Sequence, residues 1–506
     1  MHAGLRELSS LLDAAREVYG DDEDAVGRLD EWIGRIHEPL RLAVAGMVKA
    51  GKSTLLNALI GEKIAPTDAG ECTRTITWYR YGQTAKITLH LANGAEEQLP
   101  VRRVDGQLVL DLEGRTADDV ARIEVEWPSE SLRSLILIDT PGIGSLSEAV
   151  SARSFRFLTP DDSESGADAI LYLLRHVHST DVGFLEAFRD SAAGSAHAVN
   201  AVALLSRADE IGSGRIDSLL SAAQIAGRYR RDGDLRTLAL DCIPVAGLLA
   251  EAARTLRESE FAAFRELADL DREVRDRMLI SVDRFTRPFE DATLTVETRR
   301  ALLDRFGLFG VRLGAALVRG GATSSSDLRD RMVQQSGLVD VQRFVADQFR
   351  SRAAALKARG ALQVVETLLR ERPIDGSQEL QGAIERLRAG EHDLRELELL
   401  AALRSADLGL DQQDHAEAER LIGGDGTTPS ARLGLAVSAT DQQAASRVRD
   451  VLAHWHALAE SPVTDRGAAD LARVVIRSAE GAASELGVAD GRLGSASDVV
   501  TTGAPA

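Results

Sequence analysis

An α/β domain with a mostly parallel sheet, followed by an extended bundle of helices, is the architecture this sequence predicts. Three observations carry it. Short apolar runs alternate with helical stretches across residues 39–255, the pattern of strands and crossover helices in a parallel sheet. The first run, "LRLAVAG", leads straight into a glycine-rich loop and a helix, "MVKAGKSTLLNALIG". After residue 255 the strand signal fades and long helical patterns take over.

Taken in order, residues 4–36 read as a helix or helix pair, with Leu5, Leu8, Leu12, Ala15, Leu29, Ile33 and Ile36 at helical spacing. Residues 39–46 form a buried strand. "TRTITWYRYG" and "KITLHLANG" read as a strand pair, and "ARIEVEW" and "SLILIDTPG" as the strands after them. Further apolar strands are expected at 167–175, 199–209 and 242–250. This divides the chain into N-terminal helices at 1–38, a nucleotide domain at 39–255, a helical region at 256–487 and a small, polar, disordered tail at 488–506. No repeat of fixed period is present.

The net charge of −19 opposes general affinity for nucleic acid, because the mean field repels phosphate; contact with anionic lipid would need a local basic region. Two cysteines, Cys72 and Cys242, lie far apart, so a disulfide framework is excluded and a reducing cytoplasm is expected. The N-terminus lacks the basic start and apolar core of a signal peptide. No apolar run reaches the ~18 residues of a membrane span, so a membrane would be met from its surface.

"GMVKAGKST" fits the phosphate-loop pattern G-x-x-x-x-G-K-[ST] through Gly46, Gly51, Lys52 and Ser53. The glycines let backbone N–H groups turn toward phosphate oxygens. Lys52 would reach the β- and γ-phosphates, and the Ser53 hydroxyl would ligate Mg²⁺. Val48, Lys49, Ala50 and Thr54 complete the candidate loop contacts. "LILIDTPG" then places Asp139 at a strand end for the metal and the Gly142 N–H for the γ-phosphate. Between them, Thr73 is the candidate switch threonine that closes over the metal, with Thr75 as the alternative. "SRAD" at 206–209 stands where an [NT]-K-x-D signature reads guanine: Asp209 would accept from N1 and N2, and the stem of Arg207 would lie on the ring. Ser206 departs from that signature and is expected to weaken the tie between base and phosphate loop. "PVAGLL" supplies a backbone rim at Ala246. GTP is the nucleotide these residues imply.

Together with "KAGKSTLLNALIGEKIAPTDAGECTRTITWYRYG", "DTPG", "IPVAGLLA" and "RFGLFGVRL", these segments resemble the bacterial dynamin-like GTPases. The similarity is greatest to the isoniazid-inducible proteins of mycobacteria and related actinobacteria, in their shorter, C-type form. The resemblance covers almost the whole chain and implies a GTPase head, a neck that includes the N-terminal helices, and a helical trunk. It also implies pairing of GTPase domains across the nucleotide, membrane remodelling at a trunk tip, and a link to cell-envelope stress. One departure concerns Val48 and Lys49, where eukaryotic dynamins carry Gln and Ser. Val48 cannot orient a water. Lys49 is therefore the candidate to replace a charge-compensating monovalent cation near the bridging oxygen, making hydrolysis indifferent to sodium or potassium. Lys52, Thr73, Lys49 and Gly142 form the candidate catalytic set.

Residues 299–372 hold 14 Lys and Arg against 7 Asp and Glu, a local charge of +7. Within them "RFGLFGVRLGAALVRGG" sets Phe306, Leu308 and Phe309 beside Arg305 and Arg312, a candidate membrane-contact segment. The competing reading is a core helix whose glycines permit close packing. Histidine pairs at 176–178 and 454–456 lack the company that zinc prefers. Two functions share these residues. One is a mechanochemical GTPase that self-associates, alone or with a related dynamin-like partner, on the anionic inner face of the plasma membrane. The other is a regulatory GTPase that gates a protein partner.

Overall fold

The computed structural model describes residues 3–67, 74–104, 106–143, 148–159, 165–193, 199–212, 214–231, 234–289, 293–405, 408–436, 438–489 and 492–493. Helices α1 (Ala3–Val18) and α2 (Glu23–Arg35) come first, then strand β1 (Leu40–Gly46) and α3 (Lys52–Ile60). After them come β2 (Thr77–Tyr81), β3 (Lys86–Leu91), β4 (Glu96–Leu99) and a small hairpin of β5 (Arg102–Val104) and β6 (Gln107–Val109). Next are β7 (Val120–Trp127), β8 (Leu135–Asp139), α4 (Glu148–Leu158), β9 (Ala169–Leu174), α5 (Ser179–Ala193), β10 (Ala201–Ser206), α6 (Ser218–Arg231), β11 (Cys242–Val245) and α7 (Gly247–Arg254). The helices α8 (Glu258–Asp269), α9 (Arg272–Met278), α10 (Val282–Thr286), α11 (Val296–Arg319), α12 (Ser325–Gln335) and α13 (Leu338–Phe344) lead into a π-helical turn at Val345–Arg350. Beyond it lie α14 (Ala353–Glu371), α15 (Ser377–Gly390), α16 (His392–Ser405), α17 (Gln412–Leu421), α18 (Pro429–Leu433), α19 (Asp441–Glu460) and α20 (Arg466–Glu485).

Internal contacts divide the chain into one unit of residues 38–345 and another formed by 1–37 together with 346–506. In the first, nine strands run in the order β11-β10-β9-β1-β8-β2-β7-β3-β4. The half from β11 to β8 is parallel. Its strands β1, β9 and β10 are buried at every position, which is why they read as unbroken apolar runs rather than alternating ones. β2 reverses direction against β8 and runs parallel to β7.

Three expectations are corrected. "TRTITWYRYG" and "KITLHLANG" do form strands, but β7 lies between β2 and β3 and both pair with it. The chain crosses the end of β7 at Gly82, where a Cβ would fall 2.7 Å from the Glu126 Cβ. Residues 256–345 do not belong with the helices after them; their contacts put them in the unit that holds the sheet. The candidate membrane segment is core. Phe306 and Phe309 are buried and Leu308 is half-buried, packed with Leu249, Phe261 and Phe264. The reason is the glycines: Gly310 and Gly314 lie where a Cβ would meet Leu249 Cδ1 at 3.3 Å and Phe264 at 2.4 Å, so α11 settles directly onto α7 and α8. Arg312 is no lipid contact either. Its Nε donates to the Leu279 carbonyl at 2.9 Å and its Nη2 to that of Ile280 at 2.9 Å.

The helical unit joins both ends of the chain. Gly360 of α14 sits where a Cβ would fall 2.3 Å from the Trp32 ring of α2. Buried Lys357 donates to the Arg35 carbonyl at 2.9 Å, meeting the negative end of α2. Glu396 is buried, and the desolvation that opposes its charge is outweighed by His392, by the hydrogen bond and charge of Arg432 and by Ser478 together, bringing its carboxyl down to about 2. Of the expected disordered tail, Val488–Ala489 and Arg492–Leu493 form a short antiparallel pair; positions 494–506 lie outside the described residues.

Because the Phe306 ring is fully buried and meets Phe264 edge-on at 5.1 Å, Phe306→Ala should destabilise the chain by about 3–5 kcal/mol. Denaturant midpoints measure this, and a change below about 1 kcal/mol would restore the surface reading.

Candidate active site

The loop after β1 is shaped by its backbone. Gly46 has φ 140°, and a Cβ there would fall 2.3 Å from the Leu173 carbonyl oxygen; Gly51 has φ 98°. Lys49 adopts φ 63° despite its side chain. Gly51 caps α3 without a side-chain acceptor, so the first N–H groups of α3, at Lys52, Ser53 and Thr54, have no partner within the helix, an arrangement suited to an anion. Ala50 is buried and its N–H donates to the Met47 carbonyl at 3.2 Å, while Val48 is exposed at the loop crest.

Beneath the loop, β1 and β8 lie side by side with Val44 opposite Asp139. The Ser53 hydroxyl donates to Asp139 Oδ2 at 2.8 Å, and Asp139 Oδ1 is buried without a partner. Lys52 Nζ donates to the carbonyls of Gly46 at 3.2 Å and Met47 at 3.4 Å. Burial lowers the pKa of the Lys52 ammonium, an effect nearby Asp139 opposes. Burial lifts the Asp139 carboxyl to about 6 against the pull of Lys52 and the Ser53 hydrogen bond. The Ser53 hydroxyl and the Asp139 carboxylate, one of whose oxygens is orphaned, make a hard-oxygen donor pair that fits Mg²⁺. Gly142 approaches the loop so closely that a Cβ would fall 2.5 Å from Val48 Cγ2, and the Ile143 carbonyl accepts the Val48 N–H at 3.2 Å. Thr73 lies outside the described residues. Thr75 is buried with its hydroxyl unpartnered.

On the far side of β9, Asp209 is buried in a short turn after β10, and that burial raises its carboxyl above the ordinary range. Ser206 does not reach the phosphate loop; its hydroxyl donates to the Leu174 carbonyl at 3.1 Å. The tie is made by Arg207, whose Nη2 donates to the Lys49 carbonyl at 3.0 Å while Nη1 bonds Glu210 at 2.8 Å. Arg175, at the end of β9, donates to the same carbonyl at 3.4 Å. The motifs do not announce Arg175; its position at a strand end between the loop strand and the base strand is the signal.

At the candidate rim the Ala246 N–H donates to the Ser336 carbonyl at 2.9 Å, and the first N–H groups of α7, at Gly247 and Leu248, have no partner within the helix. A Cβ on Gly247 would lie 3.9 Å from Thr54 Cγ2, beside the first turn of α3.

Residues 42–180 match the sequence profile of the Dynamin family. The isoniazid-induced protein IniC of Mycobacterium tuberculosis is 39% identical over 92% of this chain and 94% of its own length. The chain is a bacterial dynamin-like GTPase. Other dynamin-like relatives match over about a quarter to a third of the chain. The bacterial dynamin-like protein of Nostoc punctiforme is 34% identical over 27% of this chain and 20% of its own. IniA of M. tuberculosis is 37% identical over 25% of this chain and 20% of its own. Among the described residues of this dynamin-like GTPase, no helix is long and apolar enough to cross a membrane.

The buried carboxyl makes a test. A folded pKa near 6 against 3.8 unfolded means the folded chain holds a proton the unfolded chain has lost, so stability falls as pH rises from about 4 to 6 and then levels. In nucleotide-free, metal-free protein, Asp139→Asn should therefore add about 2–3 kcal/mol at pH 7.5 and only about 0.5 kcal/mol near pH 4, while GTP turnover is lost. Denaturant titrations at the two pH values check it; equal effects at both would mean Asp139 titrates normally.

Proposed function

We propose that this GTPase couples hydrolysis to self-association and to work at a membrane surface, as a peripheral protein on the inner face of the plasma membrane under cell-envelope stress. The supporting observation is the helical unit: residues 1–37 pack with 346–506, so both connections of the nucleotide unit run into one set of helices. A mechanochemical GTPase needs such helices tied to both ends of its catalytic domain. The partners proposed are GTP and GDP, a second copy through the nucleotide unit, and a relative of the IniA kind.

In the proposed site, the Ser53 hydroxyl and the Asp139 carboxylate would hold Mg²⁺, and Thr73 would be the switch threonine that joins them. The ion would neutralise charge on the β- and γ-phosphates. Lys52 leaves the Gly46 and Met47 carbonyls for phosphate oxygens, and the Gly142 N–H meets the γ-phosphate. Arg207 and Arg175 hold the Lys49 carbonyl, which supports a fixed Lys49 as the positive charge near the bridging oxygen. Asp209 accepts from guanine N1 and N2 while the α7 N–H groups face O6, an acceptor that adenine lacks.

A second reading, a switch that gates a protein partner without bending a membrane, is favoured by the burial of Phe306 and Phe309, which removes the candidate lipid-contact segment. GTP turnover per molecule, measured against protein concentration with and without phosphatidylglycerol liposomes, separates the two. Specific activity should rise with concentration and again with lipid, equally in sodium and in potassium. A slow, flat rate would support the partner-gated switch, and a potassium requirement would remove Lys49 from its role. Asp209→Asn should shift preference from GTP toward XTP by at least about tenfold in competition binding; retained preference for GTP would take Asp209 away from the base.

A further inference from the structure

β11 is the outermost strand on its side of the sheet, and such an edge presents unpaired backbone groups. The turn between α12 and α13 covers this edge. The Ser336 carbonyl accepts the Ala246 N–H at 2.9 Å. Gly337, at φ 80°, comes so near that a Cβ would fall 2.2 Å from the Pro244 carbonyl oxygen. Only glycine fits both the backbone angle and the space. Ser336 is fully buried; its hydroxyl donates to the Val333 carbonyl at 2.7 Å and accepts the Leu338 N–H at 3.2 Å. One side chain thus ties the end of α12 to the start of α13, and α13 packs against both β11 and α3, the helix of the phosphate loop.

The held residue, Ala246, is the one from which α7 starts. Where Ala246 is fixed, the N–H groups of Gly247 and Leu248 are fixed with it. We propose that the Ser336–Gly337 turn is a positioning element for guanine recognition, setting the start of α7 at the distance and angle that meets the O6 of the base. This rests on the reading that Asp209 and the start of α7 hold opposite parts of the guanine edge. The turn touches neither nucleotide nor metal. It acts through one main-chain hydrogen bond and one close backbone approach, on a strand edge where Pro244 offers no N–H of its own.

The test uses the full chain and three diphosphates: GDP, 6-thio-GDP, in which O6 is replaced by the weaker acceptor sulfur, and IDP, which lacks the N2 amino group that Asp209 would hold. The wild-type chain should bind GDP more tightly than either analogue. In Gly337→Ala the GDP to 6-thio-GDP affinity ratio should fall toward one, with a loss of GDP affinity of roughly fivefold or more, the scale of one hydrogen bond. The GDP to IDP ratio should hold. A merely structural role would lower the melting temperature and leave the thio ratio where it was, and that result overturns the proposal. So does a wild-type chain that binds GDP and 6-thio-GDP equally. Should Gly337→Ala fail to fold, Ser336→Ala removes the two ties without a clash and should lower the same ratio by a smaller factor; no change there also overturns it. Equal binding of GDP and IDP by the wild-type chain would sink the Asp209 reading separately, since the thio ratio still judges the turn.

Discussion

The nucleotide unit is arranged around an ammonium and a carboxylate drawn out of water beneath one loop. Lys52 begins α3 and Asp139 ends β8, the strand hydrogen-bonded beside β1, so the two groups are brought together by the parallel pairing of the central strands. The carboxylate is not satisfied by protein alone. The lysine donates to carbonyls of its own loop, and one carboxylate oxygen has no partner. A buried polar atom left unpaired costs on the order of 1–3 kcal/mol. The flanking apolar strands, buried throughout, hold this unfavourable arrangement in place, and an anionic phosphate with its cation would complete it.

The parts of the site that were legible in the sequence are those with short-range chemistry. The phosphate loop, Asp139 and Asp209 each sit at the C-terminal end of an apolar strand, and the spacing of glycine, lysine and hydroxyl around such a turn leaves few other uses for them. What escaped depends on residues distant in the chain. The engagement of the Ala246 N–H comes from a carbonyl supplied by Ser336, which no local pattern announces. The link that Ser206 fails to make is restored by Arg207, whose long side chain crosses to Lys49. Separating β2 from β3 by β7 required knowing that Gly82 could pass over Glu126.

The segment around Phe306 shows a different limit. Phenylalanines, leucines and glycines framed by arginines describe an interfacial helix and a tightly docked one equally well, because both bury an apolar face and both let arginine side chains reach polar groups. Glycine at 310 and 314 serves the second case: without Cβ atoms there, α11 lies directly on Leu249 and Phe264. The boundary near residue 345 was hidden for the same reason. Helices that complete the sheet unit and helices that build the other unit have the same periodicity, and only their partners differ.

The union of both chain ends in one helical unit has a consequence for how the protein is made. The α1–α2 hairpin, with Leu8, Leu11, Leu12, Leu29 and Trp32 on its buried face, is made before the sheet unit, yet α14, which Trp32 packs against at Gly360, emerges some 300 residues after it. At about 5–20 residues per second that is an interval of roughly 15–60 s. During it the sheet unit is synthesised while the hairpin waits with its apolar face uncovered. The nascent chain therefore carries an uncovered apolar hairpin for as long as the sheet unit is being made, and in that interval a chaperone would find its binding surface on α1 and α2.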